Sequence, residues 1–225
     1  MAQLRLDLHV HSRHSPDSSL SIETIVTHLG ACGLNGFALT DHNTVVGHAE
    51  LAAWQSKFPN LVLVPGIEVS TAEGHLLAYG ISEVPVLRRP VAETIDWVRK
   101  HGGVSVLAHP FRLSHGVGGK VAERASADAI EVVNGHNSPR ANRRAERVAA
   151  RRSLGRTGGS DVHELSDLGR AYTEFAEGSP SVETVLSELR RGATIAGGSA
   201  LPLAGRMRTE LRTVALRLRR GFRPI

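Results

Sequence analysis

Short apolar segments alternate along this chain with segments of helical periodicity. Leu4, Leu6 and Leu8 alternate with polar neighbours, and this period of two predicts a strand. The pattern predicts seven further strands, at residues 36–40, 61–67, 75–81, 104–108, 129–134, 154–160 and 193–197. Strands separated by helices favour parallel pairing, and therefore an α/β sheet or barrel.

Start signals mark the helices between these strands. Ser21 is a suitable N-cap, and Pro90 and Pro139 suit the first turn of two further helices. Another helix is predicted to begin at Ser179-Pro180 and to end near Gly192. The chain has 225 residues, which fits one large α/β domain.

Composition narrows the class of protein. Apolar residues make up 41% of the chain and aromatic residues only 4%, so we expect a core of Ala, Val, Leu and Ile. Cys32 is the single cysteine, which excludes an internal disulfide framework and a cysteine-based zinc site. No apolar run resembles a signal peptide or a transmembrane helix, so we expect a cytoplasmic protein.

The net charge of +5 comes from the end of the chain. Residues 201–225 hold seven arginines and one glutamate, whereas the first 200 residues are almost neutral. We therefore divide the chain into an α/β domain at residues 1–200 and a basic amphipathic tail at residues 201–225.

Metal-ligating side chains recur where predicted strands end. His9 and His11 are two residues apart, so a strand places both imidazoles on the same side, which suits a divalent metal. Because strand ends of a (β/α) barrel face one shared cavity, residues at several ends can form one site. The candidates at these positions are His9, His11, Asp17, Asp41, His42, Glu68, His75, His109, Asp161 and His163.

The segments that carry these side chains resemble a known family. DLHVHS, TDHN, GIEVS, GHLLAYG, AHP and GGSDVH follow one another as in the PHP (polymerase and histidinol phosphatase) family. The resemblance extends from Leu4 to about Gly198. It implies a distorted (β/α)7 barrel in a single domain, with up to three divalent metals. Mixed imidazole and carboxylate ligands suit Mn²⁺, Zn²⁺ or Fe²⁺.

The same resemblance implies a ligand set. Nine side chains would hold the metals in three groups: His9, His11, Glu68 and Asp161 at the first metal; Glu68, His75 and His109 at the second; Asp17, His42 and His163 at the third. A metal-bridging hydroxide beside Glu68 would attack phosphorus in line. Asp161 or His163 would move the proton to the leaving oxygen. Arg112 and Arg170 are candidates for binding phosphate, with solvated arginines as the equal alternative.

Two basic segments remain. The helix after Pro139 carries Arg140, Arg143, Arg144, Arg147, Arg151 and Arg152, and the tail places Met207, Leu211, Val214 and Leu218 at helical spacing among arginines. We favour amphipathic helices that pack on the barrel with a solvated outer face. The alternative is contact with nucleic acid or an anionic membrane, although neither segment has aromatic residues to stack bases.

The function predicted from the sequence is a metal-dependent phosphoesterase. Its substrate would be a nucleotide, a short oligonucleotide or a small phosphorylated metabolite. Histidinol phosphatase is the alternative within the family. An amidohydrolase that cleaves C–N bonds is less favoured, because a third metal group suits the several oxygens of a phosphate. A non-catalytic polymerase-associated PHP module is less favoured, because the ligand set is complete.

Overall fold

The computed structural model describes residues 4–176 and 181–221. Within these ranges the chain forms nine strands: β1 Leu4–Val10, β2 Gly36–Leu39, β3 Val62–Ser70, β4 His75–Tyr79, β5 Val104–Leu107, β6 Ala129–Asn134, β7 Gly155–Gly159, β8 Ala171–Phe175 and β9 Thr194–Gly198. The same ranges contain seven α-helices: α1 Ile22–His28, α2 His48–Lys57, α3 Val91–Lys100, α4 Gly118–Ala122, α5 Pro139–Arg152, α6 Val182–Arg191 and α7 Leu203–Arg219.

The strands form one sheet that curls into a nearly closed barrel. The order across the sheet is β7-β6-β5-β4-β3-β2-β1-β8-β9. At the junction, the Thr173 hydroxyl of β8 accepts a hydrogen bond from Gly158 N of β7 at 2.9 Å and donates one to Gly158 O at 3.0 Å. The predicted distorted α/β barrel is therefore confirmed.

Two strands depart from the parallel pairing that the sequence pattern predicts. β4 runs antiparallel to β3 and β5, and β8 runs antiparallel to β1 and β9. Only residues 71–74 join β3 to β4, which is too short for a parallel crossover. β8 was not predicted, because the sequence AYTEF has weak apolar alternation.

The barrel interior is filled mainly by small and branched aliphatic side chains, as the composition predicts. Leu6 and Leu8 of β1 meet Val64 of β3 and Val106 of β5 in one buried cluster. Tyr79 also lies in this cluster, and its hydroxyl donates a hydrogen bond to Leu8 O at 2.8 Å. This packed interior holds the strand ends in place around a common centre.

The predicted helix starts agree with the structure where it is described. The Ser21 side chain caps α1 by accepting a hydrogen bond from Thr24 N, and Ser138 caps α5 immediately before Pro139. Helix α6 is capped by Ser181 and ends at Gly192 in a left-handed conformation, whereas Ser179-Pro180 lies outside the described residues. Helix α2 was not predicted.

The two basic segments behave differently. Helix α5 buries Ala141, Ala145 and Val148 and leaves most of its arginines exposed, as predicted. Helix α7 also packs on the barrel, but its outer face is apolar, since Met207, Leu211 and Leu218 each expose more than half of their surface. The side that faces the barrel is polar instead: Thr209 is buried there and its hydroxyl donates a hydrogen bond to Asp167. No helix within the described ranges has the length and apolar character needed to cross a membrane.

Candidate metal centre

The strand ends bring all nine predicted ligands into one region. His9 and His11 lie on the same side of β1, as their spacing predicts, with ring centroids 5.1 Å apart. β3 contributes Glu68, and β4 begins with His75. The other members lie in the loops that follow strands: Asp17, His42, His109, Asp161 and His163. All are buried except His163, whose side chain is 10% exposed.

Glu68 lies at the centre of this region, and imidazoles surround both of its carboxylate oxygens. The Oε2 atom is 3.2 Å from His9 Nε2, 3.3 Å from His11 Nε2 and 3.1 Å from His42 Nδ1. The Oε1 atom is 2.8 Å from His75 Nδ1 and 2.9 Å from His109 Nε2. A carboxylate in this position can contribute an oxygen to more than one metal.

Two further carboxylates extend the centre. Asp161 Oδ1 lies 3.3 Å from His11 Nε2 and 3.6 Å from His9 Nε2, while its Oδ2 accepts a hydrogen bond from Arg112 at 2.6 Å. Asp17 Oδ2 lies 3.1 Å from His42 Nε2 and 3.2 Å from His163 Nε2. Asp17, His42 and His163 therefore form a second group, which His42 connects to Glu68.

The buried polar atoms of these residues fit divalent metals. Seven of them lack a hydrogen-bond partner: His9 Nε2, His11 Nδ1, His11 Nε2, His42 Nδ1, Glu68 Oε2, His75 Nε2 and His109 Nδ1. Buried polar atoms normally find partners, because leaving one unpaired costs free energy. Three of them, His9 Nε2, His11 Nε2 and His42 Nδ1, lie 3.1–3.3 Å from a fourth, Glu68 Oε2. Unpaired nitrogens grouped around a carboxylate oxygen in this way are typical of ligands that share an ion.

Four overlapping triads have ligand atoms within 4.8 Å of one another: His9, His11 and Asp161; His9, Glu68 and His109; His42, Glu68 and His75; His11, His42 and His163. The first triad lies within the set predicted for the first metal. Glu68 joins the second and third triads, so His75 and His109 occur in different triads and share only Glu68. Which metal each side chain binds stays a prediction, but the fold does bring the nine side chains together.

Groups of opposite charge lie side by side in the metal centre. Burial alone would raise the pKa of Glu68 and Asp161, but the surrounding imidazoles, and Arg112 beside Asp161, hold both pKa values well below their usual range. Burial, together with Arg112, lowers the pKa of His109 to about 3. His109 is therefore neutral, which is the form of imidazole that binds a metal.

Glu131 is a functional candidate that sequence reasoning missed. Its Oε1 lies 3.0 Å from His9 Nδ1, and its Oε2 accepts hydrogen bonds from His109 N at 2.7 Å and Asn134 Nδ2 at 3.0 Å. This carboxylate thus orients one predicted ligand and the backbone of another. The sequence feature that could have identified Glu131 is an ionisable residue inside the apolar strand AIEVVN.

A cavity of about 270 Å³ opens above the ligands. Arg112 lines it, as do His115 and His136, two histidines that are not among the predicted ligands. His115 stacks on His75 with ring centroids 4.7 Å apart, and His136 Nε2 lies 3.2 Å from Asp167 Oδ2. Helix α7 supplies the remaining wall with Arg206, Thr209, Glu210, Thr213 and Arg217. Arg170 is not among the described residues that line the cavity.

Comparison with known protein families identifies two matching regions of the chain. The sequence profile of the PHP domain matches residues 7–115, and that of a PHP-associated region matches residues 139–194. The chain belongs to the PHP family. As a PHP protein, it carries the site at the strand ends, in the segments that suggested the resemblance.

Relatives of this PHP protein include the uncharacterized protein MJ1587 of Methanocaldococcus jannaschii. The two are 27% identical over 146 residues, which is 60% of this chain and 84% of the relative.

Two solved structures share the fold. One is a two-domain protein from Bacteroides vulgatus that contains a predicted PHP-like metal-dependent phosphoesterase, with a TM-score of 0.72, 20% identity, and coverage of 94% of this chain and 70% of the other. The other is Endonuclease Q in complex with a 27-mer duplex that has an abasic lesion at the active site. Its TM-score is 0.64 at 16% identity, over 84% of this chain and 57% of the other.

Proposed function

We propose that this PHP protein is a metal-dependent phosphoesterase that hydrolyses a phosphomonoester or phosphodiester of a small metabolite, a nucleotide or a short oligonucleotide. The supporting observation is the convergence of ligand triads on Glu68, with a further triad at His163. Several adjacent metals suit a phosphate, which presents several charged oxygens at once.

The residues divide into groups with different tasks. His9, His11, Glu68 and Asp161 would hold the first metal; Glu68, His75 and His109 the second; and Asp17, His42 and His163 the third. When bound, the metals lower the pKa of water and stabilise the charge that develops on phosphate oxygens. Manganese, zinc and iron(II) all suit this set of nitrogen and oxygen ligands.

Arg112 is suited to orient the substrate. Its Nη2 donates hydrogen bonds to Asp161 Oδ2 at 2.6 Å and to Asn134 Oδ1 at 3.2 Å, which holds the guanidinium at the cavity wall. The side chain is 23% exposed, so its other donors can bind a non-bridging phosphate oxygen. Asp161 or His163 would move the proton to the leaving oxygen. The pKa of His163 is raised because Asp17 outweighs the effect of burial.

A substrate screen tests this function. The chain is stripped of metal, reloaded separately with Mn²⁺, Zn²⁺ or Fe²⁺, and assayed against phosphomonoesters, phosphodiesters, a single-stranded oligonucleotide and amides. We expect phosphate-ester hydrolysis that depends on the metal. If none of the three metals supports hydrolysis of any phosphate ester, the proposal is rejected. Hydrolysis of amides alone would favour an amidohydrolase.

Matched variants connect the activity to the site. We expect His9→Ala and Asp161→Ala to abolish turnover while the far-ultraviolet circular dichroism spectrum stays unchanged. His28→Ala is the control, because His28 is an exposed histidine on α1. Full activity in a metal-loaded His9→Ala protein would reject the assigned ligands.

A further inference from the structure

Helix α7 covers the metal centre with its polar side. Arg206, Thr209, Thr213 and Arg217 follow one another at intervals of three or four residues, and all four line the cavity above the ligands. Such spacing places side chains on one face of a helix. The arginines of the basic tail therefore divide into two sets, one that faces the metal centre and one that faces outward.

Polar contacts hold α7 in this orientation. The Thr209 hydroxyl is buried and donates a hydrogen bond to Asp167 Oδ2 at 3.4 Å. Arg212 donates to Glu164 Oε2 at 2.6 Å. Just beyond the helix, Arg220 donates to Ser15 O at 2.8 Å and Ser18 O at 3.0 Å. Because these contacts extend from the middle of the helix to the residue just beyond its end, they fix the helix across the opening.

Arg206 and Arg112 both line the cavity, but their hydrogen bonding differs. The guanidinium of Arg112 is already paired with Asp161. The Nε atom of Arg206 is buried and has no hydrogen-bond partner among the described residues. A buried donor without an acceptor is unfavourable. Because the Arg206 side chain lines the cavity, turning its guanidinium onto an acceptor that enters there would remove this cost. A guanidinium is best satisfied by a carboxylate or a phosphate, which can bind two of its N–H groups at once.

The cavity also limits what can enter. Its volume is about 270 Å³, slightly below the range of about 300–1,000 Å³ usual for ligand pockets. Helix α7 contributes two arginines to the cavity wall, Arg206 and Arg217, and one carboxylate, the exposed Glu210. The α7 wall is therefore positively charged, and the space suits a small molecule.

We propose that Arg206 binds a second anionic group of the substrate, and that the substrate is a small phosphate ester that carries a carboxylate. This inference rests on the proposed function, since the metal centre takes the phosphate that is cleaved. Arg206 would then be a specificity-determining residue, and it would favour esters with two anionic groups over esters with one.

Binding of non-hydrolysable ligands tests the proposal without turnover. Isothermal titration calorimetry on the full chain loaded with Mn²⁺ compares three pairs of ligands: phosphonoacetate with ethylphosphonate, 3-phosphonopropionate with propylphosphonate, and 4-phosphonobutyrate with butylphosphonate. The members of a pair differ in the terminal carboxylate. We expect at least one carboxylated ligand to bind about tenfold more tightly than its partner, as one charged hydrogen-bonded contact allows.

Two variants on the same helix separate the proposed contact from general charge. In Arg206→Gln the preference for the carboxylated ligand should fall to about twofold or less. Arg208→Gln removes the same charge from an exposed position outside this cavity, and it should keep the preference. Circular dichroism confirms that both variants retain the fold.

Three outcomes would overturn the inference. They are the absence of any preference in the unmodified chain, a preference that persists in Arg206→Gln, and an equal loss of affinity for both members of each pair. The last result would place Arg206 on the cleaved phosphate instead. If selective binding is present but no phosphate ester is hydrolysed, the proposed function fails while the anion site at Arg206 stands.

Discussion

At the scale of single residues, His11 shows how the protein prepares a metal ligand. Burial alone would lower the pKa of His11, but the carboxylates of Asp161 and Glu68, each 3.3 Å from its Nε2, raise it to about 10. Without metal, the imidazole therefore keeps its proton at neutral pH. A metal must displace that proton, so protein and metal compete for the same nitrogen.

This competition predicts a pH dependence. We expect metal affinity to rise with pH above 6.5 and Mn²⁺ binding at pH 7.5 to release protons, measured by calorimetry in buffers of different ionisation enthalpy. Because the pKa of His11 is raised on folding, its contribution to stability is full below pH 6.5 and is lost as pH rises through about 10. Metal-stripped protein should therefore lose this contribution over that range. Metal binding without proton release would contradict the assignment.

Glu131 gives a second prediction at this scale. Glu131→Gln replaces one carboxylate oxygen with an NH2 group, which is a hydrogen-bond donor. At the Oε1 position this donor would face His9 Nδ1. At the Oε2 position it would face two other donors, His109 N and Asn134 Nδ2. We expect metal affinity to fall about 10- to 100-fold with the fold retained, as measured by competition with a chromogenic chelator. Glu174→Gln is the control, since Glu174 on β8 pairs with Arg5. Unchanged affinity in Glu131→Gln would show that His9 needs no such support.

At the scale of elements, α7 reverses the usual orientation of an amphipathic helix. Its apolar residues Met207, Leu211 and Leu218 face solvent, while Arg206 and Thr209 face the metal centre. The inward side meets hydrogen-bond acceptors, since Asp167 accepts a hydrogen bond from Thr209, and the carbonyl oxygens of Ser15 and Ser18 accept from Arg220. The environment of the helix, and not its own apolar periodicity, therefore decided which side faces inward.

Stability measurements can test that orientation. Leu211→Ser should change the free energy of unfolding by no more than about 0.5 kcal/mol, because the side chain is 70% exposed. Leu189→Ala on α6 should cost about 2–5 kcal/mol, because Leu189 is fully buried in the barrel cluster. Chemical denaturation measures both. A loss of several kcal/mol in Leu211→Ser would mean that the leucine packs against the barrel.

At the scale of the whole molecule, the site depends on the curl of the sheet. β7 and β8 lie near opposite ends of the sheet order. Even so, the Thr173 hydroxyl on β8 forms hydrogen bonds with both the backbone N–H and the carbonyl oxygen of Gly158 on β7. This closure keeps His9 on β1 and Asp161 after β7 beside one another. A flat sheet would leave the first and last ligand-bearing segments on separate surfaces.

Two threonines on opposite sides of this closure provide a matched comparison. Thr173→Val removes the hydroxyl that joins β7 to β8 and leaves Gly158 N without that partner, so we expect a loss of about 1–3 kcal/mol in unfolding free energy. Thr157→Val should be neutral or stabilising, because the buried Thr157 hydroxyl has no hydrogen-bond partner in the described structure. Equal effects in denaturant titrations would contradict the role of Thr173 in closure.

The sequence by itself determined the alternation of strands and helices and the chemical nature of the site. Both follow from local rules: the spacing of His9 and His11 settles their shared side, and apolar periodicity marks most strands. Tertiary structure alone decided the pairing of β8, the support of His9 by Glu131 and the inward face of α7. Each depends on residues distant in sequence, because the free energy of burying a charge or a leucine is set by the neighbours that folding supplies.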